Sequence, residues 1–324
     1  ENVGLIEVAN FSKHEFKGPD ARKFLDFIMA GRLPKPGRIS LSPMLSYRGK
    51  LCGDLTVACL DENEFIVFGS GAAQEMHRRW FESHLDKFNV NYNNRSDEFH
   101  GLSIAGPNSR KVLEKIVRDD ISNEKFKFRD SRKMFVGGVP AIVNRISFTG
   151  ELGYEIYVAP HYQLKLYEEL LLAGKDFNIK PFGGRALMSM RLEKNWGAWT
   201  LDYRPDFTAK ETGLDSFINW NKEFIGKENA QKDNSTSKIV PLIVETNEID
   251  VTNNEAVVNG KDSIGYVTSG GFAHYVNKSV AFTFLDQNKI NYDNKIQIEI
   301  NGDLFNCSII KDPLYDPTGQ KMRS

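Results

Sequence analysis

The chain reads as an α+β protein built on duplicated strand-helix units and completed by a small antiparallel β-barrel. Three observations predict this. The segment Gly18-Pro19-Asp20-Ala21-Arg22-Lys23-Phe24-Leu25-Asp26 reappears 88 residues on as Gly106-Pro107-Asn108-Ser109-Arg110-Lys111-Val112-Leu113-Glu114. A polar, aperiodic stretch, Gln231-Lys232-Asp233-Asn234-Ser235-Thr236-Ser237, then breaks the composition. Beyond it, strand-forming runs alternate with hairpin signals. Two domains are expected, 1–232 and 233–324.

Each copy of the repeat follows a short strand candidate, over 13–17 and 102–105, and reads as strand, Gly-Pro turn, helix. Proline in the first helical turn loses no needed hydrogen bond, and Phe24, Leu25, Phe27 and Ile28 recur at helical spacing. Between the copies, 39–45 and 51–60 form a hairpin about Tyr47-Arg48-Gly49-Lys50, and 65–68 is a further strand. A helix is expected over 72–85 with Met76, Trp80 and Leu85 on one side. His77 and His84 stand seven apart on it without a third ligand nearby in sequence, which argues against zinc. Helices follow over 162–173 and 183–194. Past the polar break come strands over 239–245, 256–258, 264–268, 280–285, 296–300 and 305–310. Asn259-Gly260 and Asn301-Gly302 are type I′ hairpin signals, and six short strands so joined make a small barrel.

Composition narrows the function. The 324 residues are 40% apolar and 26% charged, with a formal net charge of -1. No electrostatic footprint suggests nucleic acid or an anionic membrane surface, which leaves small ligands and protein partners. Cys52, Cys59 and Cys307 cannot all pair internally and read as reduced thiols of the cytoplasm, or of the mitochondrial matrix in a eukaryote. No apolar run approaches the ~18 residues of a membrane helix, and the opening residues lack a basic start followed by an apolar core. The chain opens on glutamate rather than methionine, as expected of a processed product or a piece of a longer protein.

The stretch 146–158, Ile-Ser-Phe-Thr-Gly-Glu-Leu-Gly-Tyr-Glu-Ile-Tyr-Val, places two carboxylates in a strand-like apolar run. Period-two geometry sends Glu155 to the face opposite Tyr154, Ile156 and Val158. Thr149-Gly150 and Gly153 supply turn chemistry that sets Glu151 in a loop. Glu155 is then either a solvated residue on an exposed strand face or a buried carboxylate with a partner.

Several pieces now match one pattern. Thr149 to Glu155, Phe182-Gly183-Gly184-Arg185, Arg191-Leu192-Glu193, Phe224-Ile225-Gly226-Lys227 and Thr268-Ser269-Gly270 occur in the order found in the aminomethyltransferase family, which includes the T-protein of the glycine cleavage system. The chain resembles that family over nearly its whole length. Val3-Gly4-Leu5-Ile6, Phe16-Lys17-Gly18-Pro19-Asp20-Ala21 and the run from Arg191 to Trp199 look like the folate-binding half of dimethylglycine and sarcosine dehydrogenases in particular. The resemblance implies an aminomethyltransferase-type folate-binding fold, tetrahydrofolate as acceptor of a one-carbon unit, and 5,10-methylenetetrahydrofolate as product.

It also implies roles. Glu155 occupies the position whose carboxylate accepts from the exocyclic amine and ring N-H of a pterin, side by side as on an arginine fork. Asp54, in Lys50-Leu51-Cys52-Gly53-Asp54-Leu55, is the carboxylate expected beside the nitrogens that take up the carbon; many T-proteins carry two adjacent aspartates here, and Gly53 replaces the first. Arg185 matches the arginine that reaches the acidic tail of folate. Arg191, about 240° further round a helix, is expected in a structural ion pair. Phe148 and Trp199 stand where tyrosines are common, and Phe11 at another ligand-lining position; each serves ligand or core packing.

The expected function is folate-dependent one-carbon transfer coupled to demethylation of dimethylglycine or sarcosine, with FAD only on a missing N-terminal half or a flavoprotein partner, since no Gly-x-Gly-x-x-Gly follows a first strand. A glycine cleavage T-protein, or a demethylase of another methylated compound, is the alternative. A non-catalytic folate-binding module is a third reading, in which Asp54 would have no role in turnover.

Overall fold

The chain runs twice through one series of elements. In a computed structural model describing residues 2–246, 248–291 and 293–324, β1 (Gly4–Glu7) precedes a first pass of β2 (Ser12–Lys17), α1 (Ala21–Ile28), β3 (Arg38–Leu45), β4 (Leu51–Asp61), β5 (Glu64–Gly69), α2 (Gln74–Glu82) and β6 (Asn91–Asn94). The second pass is β7 (His100–Ala105), α3 (Ser109–Glu114), β8 (Ser131–Val136), β9 (Val139–Asn144), β10 (Gly153–Val158), α4 (Gln163–Ala173) and the two-residue β11 (Lys180–Pro181). The sheets repeat as well, β3-β4-β5-β2-β6 in one and β8-β9-β10-β7-β1-β11 in the other, with β1 rather than β11 in the place that β6 takes beside β2. The nine-residue repeat is thus the visible part of a longer structural duplication.

Glycine is required at both repeat corners. Gly18 and Gly106 each have φ +133°, and a Cβ would stand 2.7 Å from the Asn89 carbonyl oxygen at the first and 2.2 Å from that of Asn2 at the second. Ala21 then donates to the Gly18 carbonyl and Ser109 to that of Gly106, both at 3.0 Å, which starts each helix. The helices cover the outer face of their own sheet. Phe24, Leu25 and Ile28 pack on Phe16, Val57 and Phe65; Val112, Leu113, Leu166 and Leu170 pack on Tyr154, Ile156 and Val158. The inner faces meet each other through Val8, Ile39, Ala58, Ile66, Phe68, Ile142 and Tyr157. The order helix, sheet, sheet, helix leaves the space between the sheets as the place where inward polar side chains must find partners.

One expected face is corrected in part. α2 ends at Glu82 with His77 and Phe81 fully buried, while Trp80 and, past the helix, Leu85 pack half-buried on the same core and Met76 does not. His77 is a neutral, hydrogen-bonded imidazole inside, which an apolar-pattern reading counts as polar. His84 lies beyond the helix and bonds Tyr47, so the two histidines face different surroundings.

After α5 (Gly184–Glu193), a long segment with the single-turn α6 (Ala209–Thr212) and α7 (Lys227–Gln231) leads to the barrel. α6 carries a full capping box: Thr208 accepts from the Glu211 N-H while Glu211 accepts from that of Thr208. β12 (Ser237–Val244), β13 (Ala256–Asn259), β14 (Asp262–Ala273), β15 (Lys278–Asp286), β16 (Ile296–Ile300) and β17 (Asp303–Ile309) close into a six-stranded antiparallel barrel in the order β12-β15-β14-β13-β16-β17. Asn301 and Gly302 form the two-residue loop at φ +53° and +92°, as type I′ requires. The other hairpin slips by one residue: Asn259 pairs with Asp262, leaving Gly260-Lys261 as the loop with Gly260 at φ +71°. Asn259 stays in the strand because its side chain donates to the carbonyls of Asn294 and Lys295 and accepts from the Asn291 N-H.

Candidate active site

The inner face of the second sheet carries the crevice expected from Glu155. In β10, Glu155 lies opposite Ser103 of β7 and Asn144 of β9, and it points away from the core that takes Tyr154 and Ile156. Around it stand Ile6, Val8, Phe11, Ser103, Phe148 and Leu187, enclosing a cavity of about 20 Å³. That is roughly the room of one water. The Tyr157 hydroxyl donates to Glu155 Oε2 at 2.8 Å. Burial pushes the Glu155 carboxyl up, against the pull of that bond and of the Lys13 charge.

The loop before β10 shapes the rim. Gly150 has φ +88°, its N-H donates to Ser147 Oγ at 3.0 Å, and a Cβ there would meet Lys194 Cδ at 2.8 Å. Thr149 Oγ1 accepts from the Glu151 N-H at 3.3 Å. Glu151 is in this loop, as expected, and is held by Tyr315 from beyond the barrel, while Lys194 pairs with Asp316. The loop bearing Phe148 is therefore anchored by the segment after β17.

Asp54 sits across the inter-sheet space on β4, paired with Pro43 of β3. It does not line the Glu155 crevice. Burial raises its carboxyl to about 7, offset in part by its own backbone N-H. Burial first, and the Asp54 charge after it, raise the phenol of Tyr203, which lies 7% exposed and bridges to Trp199. Asp54, Tyr203 and Trp199 thus form a second group.

Gly53 has a packing reason. A Cβ there would stand 2.9 Å from His77 Nε2, which donates to the Cys52 carbonyl at 2.9 Å. The imidazole occupies the space that a first aspartate would need.

Of the six residues named from the sequence, Glu155, Phe148 and Phe11 meet in one crevice, and Asp54 and Trp199 share a neighbourhood with Tyr203. Arg185 joins neither. It is in the first turn of α5, its side chain 98% exposed and 3.7 Å from Asp250. Leu187, two residues and about 200° further round, is the α5 residue that lines the crevice. Arg191 is buried in an ion pair with Asp202. Sequence reasoning missed Tyr157, although its period-two relation to Glu155 was available, and missed Tyr203 and Leu187; it weighs His77 only as a metal ligand and misses its packing against Gly53. Among the described residues no group of three or more His, Cys, Asp or Glu could hold a metal ion.

Comparison with known proteins identifies the family and the fold. Residues 1–222 match the family described as the GCVT N-terminal domain, and residues 238–316 the glycine cleavage T-protein C-terminal barrel domain. Mouse "Dimethylglycine dehydrogenase, mitochondrial" is 34% identical over 97% of this chain and 37% of its own length; the human protein of that name is 33% identical over 100% and 38%. The chain therefore spans well under half the length of these relatives. An "Aminomethyltransferase" from Thermoanaerobacter pseudethanolicus is 28% identical over 98% of this chain and 88% of its own length. The crystal structure of the glycine cleavage system aminomethyltransferase T from Bartonella henselae superposes with a TM-score of 0.86 at 22% identity, covering 98% of this chain and 87% of that one, which shows a shared fold. The chain belongs to the glycine cleavage T-protein family of aminomethyltransferases.

Proposed function

We propose that this chain catalyses tetrahydrofolate-dependent one-carbon transfer, forming 5,10-methylenetetrahydrofolate with carbon from dimethylglycine or sarcosine. The observation that carries the reading is Glu155: an inward carboxylate in a narrow crevice, oriented by Tyr157 and flanked by the aromatic faces of Phe11 and Phe148. Such a group suits the paired N-H donors of a pterin edge. The crevice is open at its rim, where Phe148 and Leu187 stand. Arg185, exposed on the first turn of α5, is the residue proposed for the acidic tail of folate outside the crevice.

In this chemistry one folate nitrogen attacks an iminium carbon, the amine leaves, and the second nitrogen closes the ring. Two N-H protons are lost; one departs with the amine and the other passes to a base. Asp54 is the base proposed, its carboxyl raised by burial to about 7, near the pH at which it can both accept and return a proton. The iminium would come from a flavoprotein region or partner outside this sequence, in line with the names and greater lengths of the dehydrogenase relatives. The three free cysteines suit a reducing compartment, cytoplasm or mitochondrial matrix. A glycine cleavage transferase is the second reading, favoured by the near-full-length match to the Thermoanaerobacter protein.

Calorimetric titration with tetrahydrofolate, followed by formaldehyde, tests the proposal. Binding with faster methylenetetrahydrofolate formation than in buffer supports a transferase. Binding without acceleration leaves a carrier module, and absence of binding removes the reading built on Glu155. Supplying the carbon on dimethylglycine with a flavoprotein dehydrogenase, or on glycine with the other glycine cleavage components, separates the two transferase readings.

A further inference from the structure

A cation lies buried between the two sheets that the chemistry above does not use. Lys13 is on β2, flanked by β5 and β6, and is 0% exposed. Its backbone N-H donates to Ser96 Oγ at 3.0 Å, and its Nζ donates to the carbonyls of Ala9 at 2.5 Å and Ser96 at 3.4 Å. The ammonium stands 5.8 Å from the centroid of the Tyr157 ring. Phe68, opposite Lys13 in the β2–β5 register, packs on the same ring at 4.6 Å. The ring therefore packs against both Lys13 and Phe68 of one sheet while its hydroxyl donates to Glu155 on the other. An ammonium is held in so dry a place only by acceptors or opposite charge, and an aromatic face adds to both.

We propose that Lys13 is a positioning residue for the folate-binding carboxylate: its ammonium, seated on Tyr157, supplies the counter-charge that keeps Glu155 ionised and oriented as a double acceptor. The inference rests on the folate reading of Glu155.

Three carboxylates pull on the Lys13 ammonium, Glu7 and Asp97 more strongly than Glu155. Glu7 at the end of β1, Asp97 after β6, and Glu155 and Tyr157 on β10 face it; Glu15, two residues along β2, is taken up by Lys17 and Arg95. Burial lowers the Lys13 amine to about 8, against the pull of Glu7, Asp97 and Glu155. The sign is the same from the other side, where the Lys13 charge lowers the Glu155 carboxyl that burial raises. Ligand affinity accordingly falls at both ends of the pH range, in acid as Glu155 takes a proton and above about pH 8 as Lys13 releases one.

Lys13→Met and Lys13→Arg test this with two readouts. One is calorimetry with tetrahydrofolate under anaerobic conditions between about pH 6 and 9.5, a range wide enough to bracket the lysine. The other is the carbon-13 titration of the Glu155 carboxyl in ligand-free protein, assigned with Glu155→Gln. Lys13→Met moves the Glu155 midpoint up by about one unit, and tetrahydrofolate affinity falls with it, by up to about tenfold at pH values near and below the shifted midpoint. Lys13→Arg keeps the neutral-pH affinity and removes its alkaline decline, because guanidinium stays charged. A Glu155 midpoint unmoved in Lys13→Met, or a wild-type affinity flat through pH 9 or so, overturns the proposal. Should Lys13→Met fail to fold, the comparison of Lys13→Arg with wild type decides by the alkaline limb alone. Wild type that binds no tetrahydrofolate while Glu155 still responds to Lys13 refutes the folate reading, and the pterin role with it, but leaves the ion coupling established.

Discussion

Arg191 and Asp202 form an ion pair at 2.5 Å with side chains 1% and 0% exposed, and the aspartate joins the two halves of the molecule. Its Oδ2 also accepts from the Ala198 N-H at 3.0 Å, while its Oδ1 accepts from the hydroxyls of Thr268 and Ser269 in the barrel. Arg191 lies over Phe282 of β15 at 5.3 Å. Two of the sequence motifs that identify the family, Arg191-Leu192-Glu193 and Thr268-Ser269-Gly270, thus meet at one carboxylate. Removing one partner of such a pair leaves the other charged in a dry interior. Arg191→Met is expected to lower unfolding stability by about 3 to 5 kcal/mol, read by denaturant titration. A loss below about 1 kcal/mol would place the pair among weak surface bridges.

Glu155 and Tyr157 make a separable prediction. Glu155→Gln keeps size and loses charge, so a charge-assisted bond contributing roughly 1.5 to 3 kcal/mol is lost. Tetrahydrofolate binding is expected to weaken about tenfold or more. Tyr157→Phe removes the only donor to Glu155 found among the described residues, which raises the carboxyl further and moves the acid limb of binding to higher pH. Calorimetry across pH reads both, and unchanged affinity in Glu155→Gln would refute the role.

For Asp54 the prediction concerns rate and pH together. With the folded carboxyl raised to about 7, a base role makes transfer rise with pH through that value. Asp54→Ala is expected to cut turnover ~100- to 10,000-fold with folate affinity nearly intact. The linkage runs the other way for stability. A carboxyl whose folded value is raised binds its proton more tightly when folded, so its stabilising contribution is full below the unfolded value of 3.8 and is lost as pH rises toward 7. Asp54→Asn therefore flattens the decline of stability over that interval, measured by urea titration at several pH values. Equal losses of binding and rate would assign Asp54 a structural role.

These predictions also mark what the sequence could carry. Local periodicity exposes what depends on local geometry: the Gly-Pro corners at Gly18 and Gly106, the turning of Glu155 away from Tyr154 and Ile156, and the six barrel strands. It fails where the determinant is a contact across the fold. Lys13 is 142 residues from Glu155, and nothing in an alternating strand shows that its ammonium stands over Tyr157. Arg185 and Leu187 differ only in helical phase, and that phase is set by Gly183 acting as N-cap with extended backbone, a detail no motif reports. Asp202 stands in an irregular loop, where no periodic pattern marks it as the centre of a buried network.

The last prediction follows from Gly53. Restoring the two adjacent carboxylates by Gly53→Asp is the intuitive way to raise activity, but the new Cβ would lie 2.9 Å from His77 Nε2 and 3.1 Å from Leu55 Cγ. Overpacking of this kind costs about 1 to 3 kcal/mol. His77 is fixed on its other sides by Phe81, His14 and Trp199, and its hydrogen bond to the Cys52 carbonyl holds the strand that carries Asp54. Gly53→Asp alone is therefore expected to lower stability by that amount and to reduce transfer by displacing β4. Pairing it with His77→Ala opens the space and recovers part of the stability lost. Thermal melts and formaldehyde-dependent turnover of the single and double variants check this, and a fully stable, more active Gly53→Asp enzyme would show that His77 yields more readily than its packing implies.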